Sequence, residues 1–483
     1  MALDTGFVFV VLFWVPLVTA KLIVYPSAEG APRSDKYQIY VTQGSQVSES
    51  HVYITWSDNR TRDSPVVIGG RTLSWTAFAF DEAAVSVQVH TPRDFSTCLI
   101  RPRGYGYSCT RSGPQVAQFQ IIRNSTMMSV EFDYDNGTTG VRDITDKLLV
   151  FADPPETEVP SKNDSSVLYY DVGVYNLGRQ LVIPSKIKQI YLAPGAFVQG
   201  GFRTSGDQSV KIYGRGIVDN SIYRWHDSRF LWAAILLDDG GGHTVEGITI
   251  SNSVQFFLRG LSSDNLYRNV KTVGAWIYNN DGFSIGNNGA IEDCFIHAND
   301  DAIKLYASDM RVSRCVVWQA QNGAVFQTGW WPERDIHSIT VTDIDVIHTD
   351  WCAFEGNNCL TSDNNAVFNM AGQTLNVSVS DIEFVSVRVE GNCPRTIYWK
   401  MAAGARGLAS NVLFHNWEVE SQPADDKIHN EIAGSGTTGI VRDWIFSNLF
   451  IGGGCVLNPT SANFLIDGNT TSAINFECQI GKR

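Results

Sequence analysis

The chain has 483 residues, 43% of them hydrophobic and 18% charged, and 50 acidic against 37 basic side chains leave a net charge of −13. That length supports a large core and two or three domains, and the acidic balance argues against a nucleic-acid binder, which needs basic patches to displace counterions, and disfavours a polyanionic substrate. With 42 Gly, 13 Trp, 17 Tyr and 25 Phe, the chain reads as all-β, rich in tight turns and aromatic surface, rather than disordered.

Residues 1–20 read as a signal peptide. Phe7 to Val18 is apolar but too short to span a bilayer, and the small residues of Val18-Thr19-Ala20 suit cleavage, although the usual Lys or Arg is missing ahead of them. Asn-x-Ser/Thr sequons at Asn59, Asn124, Asn136, Asn163, Asn376 and Asn469 agree with a secreted glycoprotein. An extracellular monomer is expected, with no nucleic-acid partner and no membrane partner once the leader is removed. In that compartment nine cysteines imply disulfides with one thiol left over. Cys98 with Cys109, Cys352 with Cys359 and Cys455 with Cys478 are the candidate pairs, and Cys393 is unassigned. No CxxC or His-Cys cluster has zinc-ligand spacing, so no structural metal is expected.

Residues 21–165 alternate short β-rich runs with polar turns, as in His51–Trp56, Val85–Val89 and Met128–Phe132. This predicts a half-buried antiparallel β-sandwich. Asp153 to Asp164, rich in Pro, Ser and charge, reads as the boundary loop.

From about residue 175 to 483 a phrase recurs: apolar, two mostly polar, apolar, any, apolar. It starts at Val245, Ile291, Val312, Val341, Val379 and Val441, with a weaker copy at Tyr267. The steps from Val245 through Tyr267, Ile291 and Val312 are 22, 24 and 21 residues, then 29 and 38 as loops lengthen. A period near twenty without helical spacing or a Leu-rich consensus predicts a parallel β-helix, a solenoid whose coils stack about 4.8 Å apart. The sandwich is expected to brace the solenoid's N-terminal end, where an open coil exposes strand edges. Cys294 and Cys315 fall on neighbouring coils, either as two core thiols or as a disulfide.

Three carboxylates stand out: Asp281 in Asn279-Asn280-Asp281-Gly282-Phe283, and the pair Asp300-Asp301. Asp281 and Asp300 are 19 residues apart, close to one coil, which brings all three to one side of the solenoid. Like charges so close push one carboxyl to keep its proton, a useful split where one group donates a proton and another accepts one. Glycoside hydrolysis is the leading reaction of that kind. Two other readings stand beside it: turn-capping aspartates, and a calcium site.

The run Asn279-Asn280-Asp281-Gly282-Phe283-Ser284-Ile285-Gly286, followed by Ile291-Glu292-Asp293-Cys294-Phe295 and then Asn299-Asp300-Asp301-Ala302-Ile303-Lys304-Leu305-Tyr306, resembles the family-49 glycoside hydrolases, the dextranases and isopullulanases. The resemblance implies an N-terminal β-sandwich followed by a right-handed parallel β-helix. It also implies Asp300 as general acid, Asp281 and Asp301 as holders and activators of the attacking water, and inversion at the anomeric carbon. An inverting pair is expected to stand roughly 6.5–9.5 Å apart. For Asp300 and Asp301 both to reach one cleft, the backbone must leave strand geometry there. The Gly-His-Gly and Arg-Ile-Lys motifs of the related polygalacturonase-like clan are missing, which argues against galacturonan.

A sugar cleft needs aromatic platforms with polar edges. Trp330 and Trp331, about one coil beyond Tyr306, and Tyr278, just before Asp281, are the candidates, with Lys304 bonding a hydroxyl or tuning Asp301. Trp276 and Trp399 are weaker ones, for which core packing is the alternative. The sequence thus points to a secreted, endo-acting, inverting hydrolase of a neutral polysaccharide, dextran before pullulan, working without metal or organic cofactor. A pectin-type hydrolase and a non-catalytic carbohydrate-binding solenoid are the alternatives.

Overall fold

The computed structural model describes residues 21–59, 69–81, 83–135, 144–330, 333–351, 363–370, 375–423 and 428–478. The signal-peptide residues, the sequon at Asn136, the Cys352/Cys359 pair and Trp331 lie outside the described residues.

Two sheets form the first unit. One orders Leu22–Val24, Thr72–Phe80, Asp146–Asp153, Thr126–Phe132 and Cys98–Arg101, with Tyr53–Trp56 beside Thr72–Phe80. The other orders Gln46–Ser50, Gln38–Gln43, Val85–His90, Val116–Ile121 and Thr110–Gly113. Pairing is antiparallel except between Asp146–Asp153 and Thr72–Phe80, which run parallel. Strand Val85–His90 shows the half-buried alternation its sequence predicts. Strands Thr126–Phe132 and Asp146–Asp153 are buried at every described position instead. The cause is that their sheet is covered on both faces.

Among the described residues from Val167 onward, 28 strands form one sheet wound on itself as a parallel β-helix. Inward positions stack by type from coil to coil, because each residue pairs with its equivalent one turn away. Leu258, Phe283, Ile303, Phe326, Phe368 and Ile397 make one such ladder, all of them fully buried. Later coils carry a column of rings, Phe384, Phe414, Phe446 and Phe476, with centroids 5.3, 4.5 and 4.6 Å apart. Corners are turned by single residues of left-handed backbone, Gly247, Asn269, Asp293, Arg314 and Asp343 in one column, a conformation Gly, Asn and Asp take most readily.

These left-handed residues occupy the third place of the recurring phrase. The copies at Val379 and Val441 belong to a different corner, however. Val341 pairs with Phe384, whereas Val379 lies beside Ile336. The phrase marks a bend, and two corners of each long coil share that chemistry, so counting from copy to copy loses register beyond Val341.

Disulfides join Cys98 to Cys109 and Cys455 to Cys478. Cys294, Cys315 and Cys393 are free and buried, so the Cys294–Cys315 neighbours are core thiols.

The sandwich does not brace the N-terminal end of the solenoid. It lies along its flank, where Trp75, Leu149 and Phe151 pack against Phe197, Val273, Trp276, Phe295, Trp318 and Ile347, residues spread over many coils. A flank position buries far more apolar surface than a single end coil offers. Ion pairs cross the same interface: Asp153 with Lys271 at 2.6 Å and Arg215 at 3.6 Å, and Arg101 with Glu390 at 2.6 Å.

Burial pushes the Asp153 carboxyl up, but Lys271 and Arg215 prevail and hold it below its ordinary value. A carboxyl so depressed stabilises the fold above its unfolded pKa and loses that contribution as pH falls. Asp153→Asn strands the buried Lys271 charge and should cost about 3–5 kcal/mol at neutral pH. Urea unfolding at several pH values checks this, with the gap between wild type and variant narrowing in acid.

Candidate active site

On one wall of the solenoid, outward positions also stack: Arg259, Ser284, Lys304, Gln327, Asn369 and Tyr398 follow one another coil by coil. Beside this column, Phe283 pairs with Ile303, a step of 20 residues, and Gly282 donates its N–H to the Asp301 carbonyl. The coil partner of Asp281 is therefore Asp301 rather than Asp300. Gly282 permits this approach, since a Cβ there would stand 2.2 Å from the Ala302 oxygen.

Asp300 sits in the irregular segment between strands Phe295–Ala298 and Ile303–Lys304. This departure from strand geometry lets adjacent aspartates share one cleft. Asn299 and Asn280 hold the bend. The Asn280 carboxamide accepts from Trp276 and Ile277 N–H and donates to the Ser253 and Gln255 carbonyls. One coil on, Asn299 accepts from Gln321 and Asn322 N–H.

Lys304 ties the cluster together. Its ammonium is 2.7 Å from Asp281 Oδ2 and 2.5 Å from Asp301 Oδ2, with all three side chains buried. Asp301 Oδ1 accepts from Ala324 N–H at 3.2 Å. Asp300 is half-buried and accepts from Asn279 N–H at 3.2 Å and from Asn322 Nδ2 at 2.8 Å. One oxygen of each aspartate lies within 4.8 Å of the others. That is closer than the roughly 6.5–9.5 Å spacing common to inverting pairs. A calcium ion fits this cluster poorly, because the fixed ammonium already stands between two of the three carboxylates and a hard cation wants six to eight oxygens.

The carboxyls are driven apart in acidity. Burial, then the charges of Asp281 and Asp301, push Asp300 well above the ordinary carboxylate range. Burial also raises Asp281, with Lys304 pulling it back, to about 6. Burial disfavours the Lys304 ammonium, but Asp281 and Asp301 outweigh that and keep it charged. Among the described residues, Asp281 Oδ1 is buried with no hydrogen-bond partner. An orphaned acceptor of this kind, beside a raised carboxyl, has room for a proton or a water.

Of the expected aromatics, Tyr306 has its ring 5.3 Å from the Lys304 ammonium, and its hydroxyl accepts from the half-buried Trp330 N–H at 3.2 Å. Tyr278 is 44% exposed at the lip, next to the Asn279 amide that holds Asp300. Trp276 and Trp399 are core residues, the first against the sandwich and the second inside the solenoid. Three contributors escaped sequence reasoning: Phe256, with its ring 5.1 Å from the Lys304 ammonium; Gln327, with Nε2 3.4 Å from Asp301 Oδ1; and Asn322. Counting one coil back from Asp281 and one forward from Lys304 finds the first two.

No family model matches the chain. It is 25% identical to a dextranase from Arthrobacter globiformis, over 80% of this chain and 74% of that protein. It is 28% identical to a dextranase from Talaromyces minioluteus, over 68% of this chain and 64% of that one. An isopullulanase from Aspergillus niger is 26% identical over 76% of each. Dextranases and an isopullulanase are thus homologues of the chain, as the resemblance around Asp281 and Asp300 implied. Among solved structures, Dex49A from Penicillium minioluteum superposes with a TM-score of 0.74 at 21% identity, covering 93% of this chain and 96% of that one, and so shares the fold.

Replacing Lys304 by Met leaves buried carboxylates facing each other without a cation. The loss should be about 3–5 kcal/mol at neutral pH. In the variant, folded carboxyls titrate above their unfolded values, so the penalty belongs to the ionised form and is relieved as pH falls through the folded pKa. Thermal melts should show a deficit that is largest at neutral pH and shrinks in mild acid.

Proposed function

We propose that the chain is a secreted, endo-acting glycoside hydrolase of a neutral α-glucan, dextran before pullulan, that works by inversion. The observation that carries this reading is the cluster of Asp281, Asp300, Asp301 and Lys304 on neighbouring coils of one open wall. The names of the homologues supply the α-glucan.

In this mechanism Asp300, the aspartate nearest solvent, keeps its proton and gives it to the glycosidic oxygen as the bond to the anomeric carbon breaks. Asp281 and Asp301 hold a water on the opposite face of the sugar and take its proton as the oxygen joins that carbon. Lys304 is a positioning residue: it fixes both carboxylates by ion pairs, and its charge pulls Asp281 back toward the ordinary carboxylate range. It also makes them poor nucleophiles, since each is engaged by an ammonium, and this supports inversion despite the short spacing. Tyr306, Trp330 and Tyr278 present aromatic surface to the sugar beside the carboxylates. A neutral polymer suits the wall because Lys304 and Arg259 are each paired with aspartates and offer no spare cation to a uronate. Two carboxyls and water suffice for the chemistry, without metal or cofactor. Secretion rests on the leader-like first twenty residues and accords with the disulfides. The protein acts as a monomer on its polysaccharide, without nucleic-acid or membrane partners.

Incubation with dextran, pullulan and polygalacturonate, followed by proton NMR of the first product, tests this reading. Release of the β-anomer from dextran is expected. The α-anomer would mean retention, release from polygalacturonate alone would mean a pectin-type hydrolase, and affinity without release would mean a binding module. Asp300→Asn should lower turnover by about 10²–10⁴-fold while leaving the melting temperature nearly unchanged.

A further inference from the structure

Two coils before Asp281, the same wall carries a tryptophan in an unusual setting. Trp232 is 53% exposed, yet its backbone is fixed in the left-handed region at φ 55°. Ala233 N–H donates to the Leu231 carbonyl at 2.6 Å across it. A three-residue turn with positive φ at a bulky residue is strained and rare, and it persists only where surroundings enforce it. Here the enforcing group is Gln180, 3% exposed. Its carboxamide accepts from Leu231 N–H and donates to the Leu231 and Ala233 carbonyls.

The ring is braced as firmly as the backbone. The Arg259 guanidinium lies 5.0 Å from its centroid and is itself held by Asp238 at 3.1 Å. Asp238 in turn accepts from Leu261 N–H at 3.0 Å. Arg259 Nε is buried and has no partner among the described residues. This arginine heads the outward column that runs through Ser284 to Lys304. The Trp232 carbonyl accepts from Phe256 N–H, and Phe257 N–H donates to the Asp281 carbonyl, so the ring stands two coils from the carboxylates. At ordinary strand spacing that is about 10 Å along the solenoid axis.

A strained turn, a buried clamp and a cationic backing together hold a large apolar ring open to solvent in one orientation, which core packing does not require. A flat apolar surface with donors at its edge is what the face of a hexose binds. We propose that Trp232, stacked on Arg259, is a remote sugar-binding platform that engages a neutral hexose of the polysaccharide about two coils from the scissile bond. The proposal rests on the glycan-hydrolase reading and deepens it: binding at this distance favours long chains over short ones.

Two experiments test it. For Trp232→Ala, the ratio of kcat/KM on dextran to that on the shortest cleaved isomalto-oligosaccharide should fall about tenfold, and Trp232→Phe should restore most of it. An unchanged ratio, with the variant folded by circular dichroism, overturns the proposal. The second reads binding without turnover, by affinity electrophoresis of the Asp300→Asn protein in gels containing dextran, pullulan or polygalacturonate. Retardation that is lost on adding Trp232→Ala supports the platform. Retardation that survives the change, or none in any gel, overturns it. Retardation by polygalacturonate alone overturns the neutral-hexose platform and the α-glucan reading together, whereas Trp232-dependent retardation by dextran, with no reducing-end release from dextran by the protein that retains Asp300, sinks only the hydrolase reading.

Discussion

Everything at the site depends on one buried ammonium between two buried carboxylates. Coil register brings Asp281 directly beside Asp301, an arrangement that like charges would oppose by several kcal/mol in so dry a place. Lys304, three residues after Asp301 on the outward column, resolves the conflict by bonding both. With those two anchored, a third carboxyl, Asp300, is left half-buried beside them, and burial together with the negative charges of Asp281 and Asp301 makes its proton hard to remove. The carboxyls are thus set apart in acidity although one oxygen of each lies within 4.8 Å of the others.

The fold supports this cluster from behind. The residues leading into Asp281, Val273, Trp276 and Ile277, and the one leading into Asp300, Phe295, all pack against the sandwich. Asn280 and Asn299 then staple the bends that carry the aspartates. The sandwich is therefore a backing for the coils that carry the carboxylates, and its strands Thr126–Phe132 and Asp146–Asp153 lose the half-buried pattern because their sheet serves two cores. The same economy appears at the lip, where Gln180 and Arg259 hold Trp232 in place.

The coil length, the β-helix and the three aspartates were legible in the sequence because each is a local pattern repeated at a fixed step. The pairs Cys98–Cys109 and Cys455–Cys478 were legible for a similar reason, being close in sequence. What was lost depended on long-range packing. The recurring phrase cannot tell one corner from another, since Asp and Asn serve the left-handed bend at both. The flank position of the sandwich is set by apolar residues such as Trp75 and Phe151, whose strands look like ordinary sandwich strands until the partner is seen. Trp276, just before Asp281 in sequence, and Trp399, on a later coil, point into cores, whereas Phe256 and Gln327 reach Lys304 and Asp301 only through stacking. Spacing indicated which coils meet, and side-chain direction needed the fold.

The central claim is a division of protons within the cluster, and neutron diffraction of the deuterated protein at near-neutral pD reads it directly. The account predicts a deuteron on a carboxyl oxygen of Asp300 and three on the Lys304 nitrogen. A bare Asp300 carboxylate, or a Lys304 nitrogen that has lost its charge to a neighbouring aspartate, would contradict it.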